Sequence, residues 1–304
     1  MPHAGTFFRF HPADALLAVS GLGHVAFIVA TAWCFPGFGP WLYLAAFVSF
    51  ALLICWNLQC ISHNFIHNPF FTWRWLNRAF GVLETLAIGM PHQLYHHYHM
   101  NHHQGNNDAR GPDGSTRDWS SIYRHSRDDR PEPFWRYCLL SFFRVEVGPV
   151  LRVAIRHGRA NIAQVVVETL ALVAFWGALA AFDWWYFVAF YLPAYFFGWV
   201  LSYAEGYLEH YGAKPGNPYA DSVSSYHPLY NLLWFNNGYH QEHHWDPRRH
   251  WTQMHTLHQE IAVAMKVNGT RVLRGPHMTG LIEDWLDAHT SGQHTPVQEQ
   301  RRAA

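Results

Sequence analysis

Between Ala15 and Trp73 no Asp, Glu, Lys or Arg interrupts the chain. That run is too long for one membrane crossing, and it divides at Phe35-Pro-Gly-Phe-Gly-Pro40, a strong turn signal. The two halves, near 15–34 and 41–60, each approach the roughly 20 residues that a bilayer core requires. A removable signal peptide is not expected, because the second apolar run follows at once without a small-residue cleavage site. A second pair follows. Residues 160–182 are apolar apart from a few positions, one of them charged, Glu168. Asp183 makes the turn and 184–204 returns, with Pro193 predicting a kink. Glu168 is either functional, as charges at membrane depth often are, or simply faces a helix interface. Residues 79–90 are too short to span. Residues 137–155 are interrupted by Arg144 and Glu146, which predicts an interfacial amphipathic helix. The polar stretch 289–304 predicts a disordered tail. The pattern as a whole predicts an all-α integral membrane protein: four transmembrane helices in two hairpins, within a single domain over 1–288.

Composition sharpens this picture. The 304 residues are 50% hydrophobic and 17% aromatic, but only 14% are charged. An ordinary soluble domain carries about 25% charged residues, so a membrane environment explains the deficit better than a soluble core. The formal net charge is zero, which gives no support to a nucleic-acid partner. The turns at 35–40 and near 183 hold none of the 21 Lys and Arg residues. All of them fall on one side of a four-span arrangement, and that side is expected to be cytoplasmic. Both termini lie there too, consistent with a bacterial inner membrane. Cys34, Cys55, Cys60 and Cys138 form no Cys-x-x-Cys pair and predict buried free thiols.

Candidate chemistry comes from histidine. Tyr95 to Asp108 reads YHHYHMNHHQGNND. His63 and His67 are spaced i, i+4. His99, His102 and His103 are spaced i, i+3, i+4, and His240, His243 and His244 repeat that spacing. On a helix each group points its rings to one side. Tyr-Leu-Glu-His-Tyr-Gly at 207–212 adds His210 just past the last span. Every group lies at or beyond the cytoplasmic end of an apolar segment, which predicts a helical cytoplasmic cap carrying them. Nine imidazoles exceed the usual four ligands of one tetrahedral zinc and suit two metal ions with positions left open. Imidazole accepts zinc, copper, iron and nickel, so the ligand type does not name the metal. His11, His24, His125, His157, His255 and His258 read as isolated surface histidines.

HxxxH, then HxxHH, then HxxHH, set around two membrane hairpins, resembles the membrane-bound fatty acid desaturase superfamily. That superfamily includes acyl desaturases, alkane and acyl hydroxylases, and decarboxylases. The segment around His210 resembles the alkane monooxygenase branch, whereas the second and third groups follow desaturase spacing. The resemblance implies a non-haem centre of two iron ions that activates dioxygen. Its ligands here would be His63, His67, His99, His102, His103, His210, His240, His243 and His244. His96 and His97 would be neighbours, although a shifted frame would make His96 a ligand. Glu209, Glu242, Asp108 and Asp246 are candidate acceptors for ring N–H groups, or plain solvated carboxylates. Several relatives carry Asn where this chain has Gly206. A water-mediated ligand is therefore either absent or supplied by Asn236, Asn237 or another residue.

Such a centre at a membrane boundary suits an apolar lipid or fatty acyl substrate and a soluble electron donor. No Cys-x-x-Cys pair marks a fused rubredoxin, so a separate ferredoxin with its reductase is expected, docked on cytoplasmic Arg and Lys such as the run 117–136. Desaturation is the expected outcome, ahead of hydroxylation or decarboxylation to a terminal alkene. Two other classes compete. A metal transporter would place ligands along a path at mid-membrane depth. A zinc-dependent hydrolase needs only three protein ligands and an open position. The sequence leaves open the substrate head group, chain length, position of attack and oligomeric state.

Overall fold

The computed structural model describes residues 6–128 and 130–290. In chain order its helices are α1 (Asp14–Cys34), α2 (Pro40–Trp56), α3 (His63–His67), α4 (Arg74–Ile88), α5 (His92–Gly105) and α6 (Phe134–Arg144), then α7 (Val147–Arg156), α8 (Arg159–Phe182), α9 (Leu192–Leu208), α10 (Pro228–Leu233), α11 (His240–Trp245), α12 (Met254–Asn268) and α13 (Gly280–Thr290). A short parallel pair joins β1 (Val223–Ser225) to β2 (Arg271–Leu273). Of the tail expected over 289–304, His289 and Thr290 end α13, and 291–304 lie outside the described residues.

Four helical stretches are long and apolar enough to cross a membrane: Asp14–Gly37, Pro40–His67, Arg159–Phe182 and Tyr186–Leu208. Each expected span has its counterpart, but the second runs on to His67. It does so through a π-helical turn, Asn57–Ser62, whose six residues are all buried. A second π turn, Tyr186–Tyr191, precedes α9. Pro193, where the sequence predicts a kink, is the second residue of α9 and directly follows this widened turn. Along α8, Val166, Val167, Leu170 and Val173 are exposed. Apolar side chains exposed in a continuous stripe mark a surface that meets lipid. The expected amphipathic stretch 137–155 is instead two helices, α6 and α7. Cys34 is exposed at the end of α1, whereas Cys55, Cys60 and Cys138 are buried free thiols as expected. His24 is also not a surface residue. It is buried in α1, with Nδ1 3.2 Å from Asn57 Nδ2.

The described chain forms two compact units. Among the described residues, one comprises 6–101 and 138–203, the other 102–128, 130–137 and 204–290, with boundaries inside α5, α6 and α9. In the first unit the spans are tied by hydrogen bonds from aromatic side chains. Tyr186 donates its hydroxyl to Ile28 O at 3.0 Å, and Tyr43 donates to Ala189 O at 2.7 Å. The C-terminal carbonyls of α4 are satisfied the same way. Tyr195 donates to Gly89 O at 2.9 Å and Trp199 Nε1 to Ile88 O at 3.0 Å. Without these donors, buried helix-end carbonyls would be left unpaired in a region poor in water.

Helix α5 is rich in histidine and holds few strong helix formers. Its first turn is held from outside. His92 N donates to Thr85 Oγ1 at 2.9 Å, and Gln93 N donates to Glu168 Oε2 at 2.7 Å. The buried carboxyl of the third span thus serves as an acceptor for an amide at a helix N-terminus.

Glu84 of α4 is fully buried, and Ser62 Oγ lies 2.8 Å from its Oε2. Burial pushes its carboxyl up to about 7, against hydrogen bonds from Ser62 and Asn57. The unfolded chain releases this proton near the ordinary carboxylate value, so between the two values the folded state binds the extra proton. Stability contributed by neutral Glu84 is complete below the unfolded value and is lost as pH rises through that window. The loss amounts to about 3 kcal/mol above neutral pH. Thermal melts of the purified protein in detergent should show this decline. Glu84→Gln should flatten it while leaving the acid-side midpoint unchanged.

Candidate metal centre

The histidine groups fall on short helices that continue or follow the spans. In the first unit, α3 supplies His63 and His67 and α5 supplies His99. Their ligand nitrogens lie within 4.8 Å of one another, with His67 Nε2 2.8 Å from His99 Nε2. In the second unit, His102, His210, His240 and His244 bring four ligand nitrogens within 4.8 Å. His102 Nε2 lies 3.1 Å from His210 Nε2, which lies 3.3 Å from His240 Nε2. The same unit pairs His103 Nε2 with His243 Nε2 at 3.1 Å.

What faces the other ring nitrogen decides what these Nε2 atoms can do. His102 Nδ1 lies 2.7 Å from Asp118 Oδ2. His210 Nδ1 lies 3.2 Å from the Asp221 carbonyl, which can only accept. His244 Nδ1 lies 2.8 Å from Asn106 Oδ1. That amide is oriented by its own Nδ2, which donates to Asp221 Oδ2 at 2.9 Å. Each of these imidazoles therefore carries its proton on Nδ1 and presents a bare lone pair at Nε2. Lone pairs that face each other this closely repel unless a cation lies among them, so the donor set fits a metal ion. Burial holds His210 down at about 3, with His102 adding to the effect, and it holds His240 well below its ordinary value. Both rings are thus neutral at physiological pH.

Asp118 is a residue that sequence reasoning missed. It is fully buried in the loop after α5. Burial alone would raise its carboxyl, but His102 and the hydrogen bonds from His102 and Ser120 outweigh it and hold the group below its ordinary value. Asn107 N and Ser120 N also donate to it, at 2.8 and 2.7 Å. Gly105 makes the approach possible, because a Cβ there would lie 2.4 Å from Asp118 Cβ and 2.5 Å from its amide. Asn106 and Asn107 follow with φ of 51° and 52°, the left-handed region that Asn tolerates.

The four carboxylates nominated from sequence fare differently. Glu209 Oε1 lies 3.6 Å from His240 Nδ1 and accepts from Asn237 Nδ2 at 2.7 Å. Glu242 does not face any of the nine histidines. It is taken up by Ser224, Tyr226 and His258, the last at 2.5 Å. His258 is accordingly not an isolated surface residue. Asp246 pairs with Arg249. Asp108 accepts from the amides of Arg117 and Asp118, so it braces the loop and not a ring. Asn236 donates to Trp251 O. His97 bonds Asn161 at 2.9 Å, and neither His96 nor His97 belongs to a ligand set. A Cβ at Gly206 would meet nothing within 4 Å. A further set, Glu205, Glu209 and His277, lies in the second unit behind His240. There Tyr230 Oη lies 2.6 Å from Glu205 Oε1 and 2.9 Å from His277 Nδ1.

Membrane-length helices carrying sets of mutually facing imidazoles define a helical membrane protein whose histidine groups could hold metal ions. A sequence profile described as Fatty acid desaturase matches residues 38–274, and the chain belongs to that family. It is 28% identical over 211 residues to a sphingolipid delta(4)-desaturase-like protein of Oryza sativa subsp. japonica, covering 68% of this chain and 60% of that one. It is 30% identical over 228 residues to a sphingolipid delta(4)-desaturase of Gallus gallus, covering 67% and 61%. A sphingolipid delta(4)-desaturase/C4-monooxygenase of Rattus norvegicus is 28% identical over 232 residues, covering 73% and 67%. The chain thus spans about three fifths of the length of the first two relatives.

Asp118→Asn keeps the shape of the side chain but removes the carboxylate that receives the His102 proton. Metal affinity, measured by competition with a chelator, should fall by about 10–100-fold. The helical circular dichroism should be retained.

Proposed function

We propose that the chain is a membrane-bound di-iron lipid desaturase, which removes two hydrogens from adjacent methylenes of a fatty acyl or sphingoid chain. The observation that carries this reading is the approach of ligand nitrogens of His102, His210, His240 and His244 to within 4.8 Å of one another, in a chain of the desaturase family. These four would hold one iron ion. The remaining five, His63, His67, His99, His103 and His243, are left for the second. When bound, the two irons would supply reduction of dioxygen and abstraction of hydrogen from an unactivated C–H bond, chemistry that no side chain in this protein provides. The chain's own residues do the rest. Asp118, Asn106 and the Asp221 carbonyl fix ring orientation and keep each proton on Nδ1. Burial keeps the imidazoles neutral. Glu209 stands beside His240, its Oε1 3.6 Å from Nδ1, and Gly206 leaves room for a water where some relatives carry Asn.

The four spans would form two hairpins, with both termini and the histidine-bearing segments as a cytoplasmic cap. Residues 38–39 and 183–185, which link the spans of each pair, hold no Lys or Arg, in keeping with that orientation. A bacterial inner membrane is the setting we favour, within one desaturase domain over 1–288. Each turnover joins one dioxygen, two electrons and two protons with two hydrogens of the lipid to give two waters and an alkene. The electrons would come from a separate ferredoxin and its reductase. The relatives' names point to a sphingolipid as the substrate class, and the name of the rat relative pairs desaturation with monooxygenation, so hydroxylation is the second reading.

Cells expressing the chain with a ferredoxin system should accumulate an unsaturated lipid detectable by mass spectrometry. His102→Ala should abolish it, a loss of at least about 100-fold. The purified protein should contain two irons per chain. An active preparation holding zinc alone would refute the reading.

A further inference from the structure

The first unit contains a second polar site that the metal centre does not use. A cavity of about 250 Å³ is walled by Phe65 and Ile66 of α3, by α4, and by the starts of α5 and α8. Its outer wall carries Arg74 and Arg78, spaced i, i+4 on α4. Both are exposed, and neither has an ion pair among the described residues. Its inner wall carries His92, which is 5% exposed and whose Nε2 has no hydrogen-bond partner. Asn161 and Gln164 add amides from α8. Glu168 closes the far side, but Gln93 N and Gln164 Nε2 already donate to its two oxygens. Gly81 keeps the space open, since a Cβ there would lie 3.0 Å from Glu168 Oε1.

Each feature narrows the occupant. Two unpaired guanidiniums four residues apart form a cationic rim that suits a tetrahedral anion with several acceptor oxygens. A buried imidazole nitrogen without a partner costs free energy unless a polar group from the cavity meets it, whichever tautomer is present. The position is informative too. Helix α8 starts a membrane span, and exposed Trp73 and Trp75 flank the two arginines. Tryptophan and arginine together mark the level of lipid head groups.

We propose that this cavity binds the phosphate of an anionic membrane lipid, with Arg74 and Arg78 holding the phosphate and His92 meeting a polar group of the head group. The site is separate from the histidine sets. Through Glu168 and Gln93 it borders the first turn of α5, so a bound lipid braces the helix that carries His99.

The test uses the full chain in nanodiscs of phosphatidylcholine with or without phosphatidylglycerol, examined by native mass spectrometry and thermal melting. The wild type should retain one phosphatidylglycerol per chain in preference to phosphatidylcholine. Arg74→Gln/Arg78→Gln should lower that preference on the order of tenfold and abolish the lipid-dependent rise in Tm. Each single variant should lie between. Because both side chains are exposed, these variants leave the core intact, and iron content serves as a check that is independent of lipid binding. Equal phosphatidylglycerol retention by wild type and double variant would overturn the proposal, as would a wild type with no preference. Stabilisation by inorganic phosphate equal to that by the lipid would overturn the lipid as its source.

Discussion

The structure depends on which nitrogen of each buried imidazole keeps its proton. A neutral ring has one N–H and one lone pair, and a metal can use only the lone pair. In the second unit Asp118, Asn106 and the Asp221 carbonyl take the Nδ1 protons, and the Nε2 atoms are left to face one another. Much of the surrounding chain exists to place those acceptors. The loop after α5 wraps Asp118 in donors from Asn107 and Ser120, and Asp108 receives the Asp118 amide in turn. A carboxylate buried this completely is tolerable because its lone pairs are met.

A second constraint is angular. Rings spaced three and four residues apart on a helix share a side, but that side must be turned the right way. The π turn Asn57–Ser62 adds its extra residue immediately before His63 and so changes the rotational phase of α3 relative to the span it continues. Asn57 and Ser62, at its two ends, are close, with Ser62 Oγ 2.9 Å from Asn57 Oδ1. The device lies wholly in the buried part of the helix and leaves no trace in hydropathy.

That contrast explains what was legible in the sequence. The four spans were readable because hydropathy sums over some twenty positions, and the histidines because their spacing repeats the helical period. The supporting residues were not. Asp118 reaches His102 across a loop, and Asn106 reaches His244 across more than a hundred residues, so no local pattern announces either. Proximity in sequence was a poor guide. Glu242 sits two positions from His240, which on a helix turns it to another side, and there it meets His258 and Tyr226 instead. Glu168 was visible as a charge in a span, but its part in holding the start of α5 needed the fold.

The parallel pair of β1 and β2 joins stretches that are made far apart in time. A chain leaves the ribosome N-terminus first. The four histidines of the second unit, and the carboxylates of Glu205 and Glu209 behind them, are all made before Arg271–Leu273 can pair and before His277 can bond Val223 O and Tyr230. During synthesis this polar interior therefore stands without its last wall. The segment around β2, which pairs with β1 and is followed by His277, is the last part of that wall to be made.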